Sequence, residues 1–192
     1  PSSTSIAANA HALARYAAIC QEAGLVPIVE PEVLMDGAHT IERCEQVTEW
    51  TLNAVYEALY MNRVSLEGSV LKPSMVISGK KCPRQAGVQE VAERTVCILK
   101  RTVPAAVAGI AFLSGGQSDE VATAHLDAMN KMGGNPWPLS FSYGRALQQA
   151  CLKAWRGAAA NVPAAQAALS HRARMNGLAA LGKYSAALES QR

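Results

Sequence analysis

The chain has 192 residues, 49% of them hydrophobic and 17% charged, a composition that fits one soluble globular domain and excludes a disordered or fibrous chain. Eighteen Lys and Arg stand against 15 Asp and Glu, a net charge of +3. There is no basic run or aromatic interleaving to serve a nucleic-acid surface, so no nucleic-acid partner is expected and the weak positive bias suits a small anionic ligand.

From Ser5 to Cys20, the residues Ile6, Ala10, Leu13 and Ala17 recur at spacings of three and four, which predicts a helix ended by Gly24. Leu25-Val26-Pro27-Ile28-Val29 reads as a short buried strand that finishes at Glu30-Pro31-Glu32. Thr40 is a candidate N-cap for a helix reaching Tyr60, with Cys44, Val47, Thr51, Val55 and Leu59 on one face. A second strand is predicted over Val64 to Leu71, stopped by Lys72-Pro73 because proline donates no ladder bond.

A polar loop, Ser78 to Gln85, leads to a third helix marked by Val88, Val91, Thr95 and Leu99. The third strand, Ala108 to Leu113, ends in Ser114-Gly115-Gly116. Ser118 with Asp119 and Glu120 has the form of an N-cap with an acidic first turn, opening a helix to Met132. The fourth strand, Leu139 to Ser142, runs into Tyr143-Gly144-Arg145, and helices follow over Ala146 to Trp155 and Ala164 to about Leu181. Alternation of strand and helix implies βαβ units and a parallel α/β sheet.

Each strand delivers its unusual residues at its C-terminal end, where parallel α/β folds place ligands and chemistry. Lys72 follows the apolar pair Val70-Leu71, a setting that favours an uncharged, nucleophilic amine able to form a Schiff base with a carbonyl substrate. A lysine at a strand end also often just points to solvent. Glu30 and Glu32, one residue apart, lie on one face if the strand is regular. Paired carboxylates there can divide the roles of acid and base, or they form a solvated acidic loop braced by Pro31. Ser114-Gly115-Gly116 lets backbone N–H groups approach an anion, although many Gly-Gly turns only reverse the chain. Arg145, beside Gly144, offers a planar fork of donors matched to phosphate.

Taken together, Leu13-Ala14-Arg15-Tyr16-Ala17, Val26-Pro27-Ile28-Val29-Glu30-Pro31-Glu32, Leu66-Glu67-Gly68 with Leu71-Lys72-Pro73, Phe112-Leu113-Ser114-Gly115-Gly116-Gln117-Ser118 and Phe141-Ser142-Tyr143-Gly144-Arg145-Ala146-Leu147 resemble the C-terminal half of a class I fructose-bisphosphate aldolase. The resemblance implies a (β/α)8 TIM barrel, of which residues 1–192 hold the last four β/α units with C-terminal helices from about 146. It implies reversible, metal-free cleavage of fructose 1,6-bisphosphate to dihydroxyacetone phosphate and glyceraldehyde 3-phosphate, in glycolysis and gluconeogenesis. Lys72 falls on the family's Schiff-base lysine, Glu30 on its general acid/base, and Glu32 on a neighbouring active-site carboxylate. Ser114, Gly115, Gly144 and Arg145 fall where the family binds a substrate phosphate. No cofactor is implied, and the family is usually a homotetramer.

The family's first four strands, with an active-site aspartate and further lysines, have no counterpart here, and Tyr184 lies too far inside the chain to match its terminal tyrosine. Pro1 in place of Met is expected of a chain from which upstream residues have been removed. Four strands cannot close a barrel, so the isolated chain is expected to be poorly stable or to aggregate. Two other readings remain open: an inactive half-barrel or aldolase-like protein-binding module, and another lysine-dependent barrel enzyme acting on a different phosphorylated sugar.

Cys20, Cys44, Cys82, Cys97 and Cys151 are odd in number, widely spaced and without a Cys-x-x-Cys pair. They read as reduced thiols rather than a disulfide framework or zinc site. No uninterrupted apolar run of about 18 residues is present, so no membrane partner is expected. A cytoplasmic location is the expectation, with a plastid or other organelle left open.

Overall fold

Three helices start where a side-chain oxygen takes up a donor that the first helical turn leaves open. Ser2, Thr40 and Ser118 each accept a hydrogen bond from the backbone N–H three residues on, at 3.1, 3.4 and 3.3 Å. The computed structural model describes residues 1–190. In chain order it contains α1 (Ser3–Glu22), β1 (Ile28–Val29), α2 (Ile41–Met61), β2 (Val70–Leu71), α3 (Val88–Thr102) and β3 (Gly109–Phe112). These are followed by α4 (Asp119–Met132), β4 (Leu139–Phe141), α5 (Arg145–Trp155) and α6 (Val162–Ala180), with short 3-10 turns at Ala159–Asn161 and Ala186–Ser190.

The four strands form one parallel sheet in sequence order, the arrangement successive βαβ units produce in a barrel wall. Val29 pairs with Leu71, Leu71 with Ile110, and Ile110 with Leu139. Those residues are buried, because they face the helices. Their neighbours along each strand point the other way. Ile28, Val70, Gly109 and Ala111 are accordingly exposed or only part-buried, and they form the concave inner face of the half-barrel. Ile28 is 47% exposed, and Leu25, Val26 and Leu34 near the β1 edge are each above 60%. An apolar edge this open lacks the strand that would cover it.

The helices cover the outer face. Leu52 of α2, Val96 and Leu99 of α3, and Leu126 and Met129 of α4 pack with Leu71, Ile110 and Phe112 into one core. Outside that core Arg94 of α3 bridges to Glu42 at 2.9 Å and Glu45 at 2.6 Å, tying α3 to α2. The C-terminal turn is clasped to the body from beneath. Arg172, buried in α6, donates to both oxygens of Glu189 at 2.7 and 2.6 Å and to Thr123 Oγ1 at 2.7 Å. Burial alone would raise the pKa of Glu189, but hydrogen bonds from Arg172, His171 and Tyr184 outweigh it and hold the carboxyl below its usual value.

All four strands are shorter than expected, β3 and β4 by a residue at an end and β1 and β2 by much more. The predicted strand Val64 to Leu71 exists only at Val70–Leu71. The Gln21 side chain intercepts the preceding segment: its amide nitrogen donates to the carbonyls of Ser65 at 2.8 Å and Gly68 at 3.2 Å, and its oxygen accepts from the Ser65 N–H at 2.9 Å. Those backbone groups are thereby diverted from any ladder. Likewise Leu25-Val26-Pro27 stays outside β1. Among the described residues no helix is long and apolar enough to cross a membrane.

Candidate active site

The residue that follows the β2 pair Leu71 inherits the strand's alternation and turns inward. The Val29–Leu71 and Leu71–Ile110 register, carried one residue further, lines up Glu30, Lys72 and Ala111. Adjacent parallel strands stand about 4.8 Å apart, so side chains in such a row touch. Lys72 Nζ lies 3.0 Å from Glu30 Oε1, with the side chains 22% and 43% exposed. A pair this open adds about 1 kcal/mol or less to stability, so its significance is chemical. The apolar setting expected for Lys72 is only partly met: Leu71 and Pro73 are buried, but a carboxylate touches the amine itself.

Glu32 does not continue the row. β1 stops at Val29, and the Glu32 N–H donates back to the Glu30 carbonyl at 3.1 Å, a tight turn around buried Pro31. The regular strand that would have set both carboxylates on one face is therefore absent. Both still line a cleft of 780 Å³ between α1 and α2, with Asp36, His39 and Arg43. Ser74 braces this segment against β2, accepting from the Val33 N–H at 2.9 Å and donating to the Val33 carbonyl at 3.2 Å.

Beyond β3, Gly115 and Gly116 take φ of +56° and +77°, a conformation glycine adopts without penalty. A Cβ on Gly115 would also stand 2.6 Å from Met35 Cε, so the methionine tip would have to move aside. Ser114 is buried, and its carbonyl accepts from the Gln117 N–H and from Gln117 Nε2, each at 3.0 Å. With Nε2 so engaged, Gln117 Oε1 accepts from His125 Nδ1 at 2.6 Å, which assigns the proton to Nδ1. Burial pushes the His125 imidazole down to about 4, so it braces the turn as a neutral donor.

Gly144 precedes α5 and Arg145 is its first residue. The Arg145 guanidinium reaches back to β3: Nη2 lies 3.5 Å from where a Cβ on Gly116 would be. The turns after β3 and β4 thus meet where Arg145 stands over Gly116, with Ser114 and Gly115 just before that point in the chain and Gly144 just before Arg145. Lys80 arrives at the same point, Nζ 3.0 Å from the same position. Sequence reasoning passed over Lys80, Ser74, Gln117 and His125. The Gln117–His125 spacing of eight residues across a helix start is a local signal for the last pair, whereas nothing local to Lys80 or Ser74 reveals their distant partners. Among the described residues no three His, Cys, Asp or Glu side chains are grouped to hold a metal ion.

Four parallel β/α units in sequence order, with polar residues at the strand ends, define the class of the chain: an α/β fold of the kind that builds the wall of a barrel. The family model for class-I fructose-bisphosphate aldolases matches residues 1–192. The chain is 62% identical over 185 residues to a probable class 1 fructose-bisphosphate aldolase of Xanthomonas axonopodis pv. citri, covering 96% of this chain and 55% of that protein. It is 56% identical over 184 residues to the fructose-bisphosphate aldolase of Dictyostelium discoideum, covering 96% and 52%. The solved Plasmodium falciparum aldolase, in complex with TRAP and a small-molecule inhibitor, superposes with a TM-score of 0.95 at 51% identity, over 96% of this chain and 53% of that one. The chain belongs to the class I fructose-bisphosphate aldolase family, and it spans about half the length of the relatives it matches.

Proposed function

We propose that the chain carries the reacting lysine of a class I fructose-bisphosphate aldolase, and that Lys72 forms a Schiff base with the keto carbon of the phosphorylated sugar. The observation that carries this reading is the 3.0 Å contact between Lys72 Nζ and Glu30 Oε1. One proton moved across that contact turns ammonium and carboxylate into amine and carboxylic acid, the two forms the first step needs.

The amine adds to the C2 carbonyl carbon, and the former carbonyl oxygen becomes the hydroxyl of a carbinolamine. Glu30 gives its proton to that hydroxyl, water leaves, and an iminium ion forms. The iminium accepts the electron pair of the C3–C4 bond while the C4 hydroxyl yields its proton to the Glu30 carboxylate. An aldehyde phosphate departs and an enamine stays on Lys72. Protonation at C3 and addition of water then release dihydroxyacetone phosphate and restore the lysine. Small Ala111 beside Lys72 in the row leaves room for the bound carbon chain. Ser114, Gly115, Gly144 and Arg145 seat a substrate phosphate, and Glu32 supplies a second carboxylate near the entrance.

Family membership supports a homotetramer that works without a metal in glycolysis and gluconeogenesis, and the unpaired cysteines suit the cytoplasm, with a plastid or other organelle left open. The test is cleavage of fructose 1,6-bisphosphate by the longest natural polypeptide containing these residues. Lys72→Met is expected to abolish cleavage while leaving inorganic phosphate binding intact. Turnover within tenfold of the parent in that variant would refute the assignment.

A further inference from the structure

Two cations from different loops converge on Gly116. A Cβ there would meet Lys80 Nζ at 3.0 Å, Lys80 Cε at 3.2 Å and Arg145 Nη2 at 3.5 Å. Like charges on long side chains separate unless something holds them or an anion is shared between them. On the Lys80 side the backbone does the holding. The N–H groups of Gly79, Lys80 and Lys81 donate to the carbonyls of His39, Met35 and Gly37 at 2.9, 2.8 and 2.8 Å. The loop after β2 is thereby zipped to the loop after β1. The fit is close, since a Cβ on Gly79 would stand 2.6 Å from the Gly37 carbonyl oxygen. Lys80 therefore springs from an anchored backbone at the mouth of the site.

The anions nearby do not account for both charges. Asp36 Oδ1 lies 3.3 Å from Lys80 Nζ, with the aspartate side chain 70% exposed, a contact weak enough to be exchanged. Arg145 has no carboxylate partner among the described residues. A phosphate monoester carries a charge of about −1.5 to −2 near neutral pH, which two cations over one glycine turn would match.

We infer that Lys80 is a further substrate-binding residue: it joins Arg145 as a second cation on the phosphate seated at Ser114-Gly115-Gly116, leaving Asp36 to do so. The inference rests on the proposed phosphate seat and deepens it. Arg145 offers a planar fork and Lys80 a mobile point charge, so one orients the phosphate and the other follows it in from solvent. Gly116 is favoured by its positive φ, and the two cation tips occupy the space a side chain would take. Asp36 keeps the ammonium near the seat while it is empty.

The test is lysine acylation footprinting on the longest natural polypeptide containing these residues, with inorganic phosphate as probe and chloride matching its ionic strength. Saturating phosphate is expected to slow labelling of Lys80 about fivefold or more, and Arg145→Met to weaken that protection. Asp36→Asn is expected to lower the phosphate concentration at half-protection. In turnover, Lys80→Met is expected to raise KM for the bisphosphate about fivefold with kcat within twofold, and Lys80→Arg to recover most of the loss. Labelling of Lys80 that phosphate slows no more than chloride does, or an unchanged KM in Lys80→Met, would overturn the inference. The footprint needs no turnover, so protection of Lys80 in a protein that cleaves nothing would refute the lysine chemistry and leave the phosphate contact standing.

Discussion

Acidification should loosen the turn after β3 through one residue, His125. The imidazole is buried and pushed down from its ordinary value near 6.5 to about 4. Because the folded-state value is the lower one, the unfolded chain binds the proton first as pH falls. The stability this neutral histidine contributes is thus complete above about pH 6.5 and is lost progressively towards pH 4. At 1.36 kcal/mol for each unit, the difference between the two states is on the order of 3 kcal/mol. Protonation leaves the Nδ1–H donation to Gln117 intact, so the loss comes from burying charge rather than from a broken bond. The assay is the unfolding free energy from denaturant titrations at half-unit steps between pH 8 and 4, for the longest natural polypeptide and for His125→Gln. The variant should start less stable at pH 8 and show a flatter profile between pH 6.5 and 4. Parallel profiles for the two proteins would refute the reasoning, since Glu189 and the other carboxylates titrate equally in both.

Glu30→Gln keeps the shape of the acid/base residue and removes its proton; turnover should fall about 10²- to 10⁴-fold with KM changed far less, as read from steady-state kinetics. Arg172→Met strips Glu189 of its buried partner and leaves Thr123 with one donor fewer, so thermal and denaturant unfolding should register a loss of about 3 kcal/mol. The isolated 192-residue chain should unfold without a sharp transition or aggregate, because the β1 edge and the inner face are open; a cooperative transition with near-normal cleavage would contradict that.

The sequence made the strand ends and helix caps readable because both depend on neighbouring residues. Thr40 and Ser118 cap helices where side-chain chemistry says they should, and Lys72 and Glu30 meet because strand alternation and parallel register leave them no other face. What escaped depends on contacts far along the chain. Val64 to Ser69 has the residues of a strand, yet Gln21, more than 40 residues earlier, takes its backbone groups. Glu32 left the expected face because Pro31 is turned under by a bond between its neighbours. Lys80 lay in an unremarkable polar loop until that loop was zipped to another and carried over Gly116.

The covalent role of Lys72 is most directly tested by incubating the longest natural polypeptide with dihydroxyacetone phosphate, reducing with borohydride, and locating the modified residue by peptide mass spectrometry. One stable adduct at Lys72 is expected, absent without the sugar phosphate and absent in Lys72→Met. A protein left without any adduct would contradict the Schiff-base assignment and favour binding without turnover, and an adduct on another lysine would contradict the assignment of that role to Lys72.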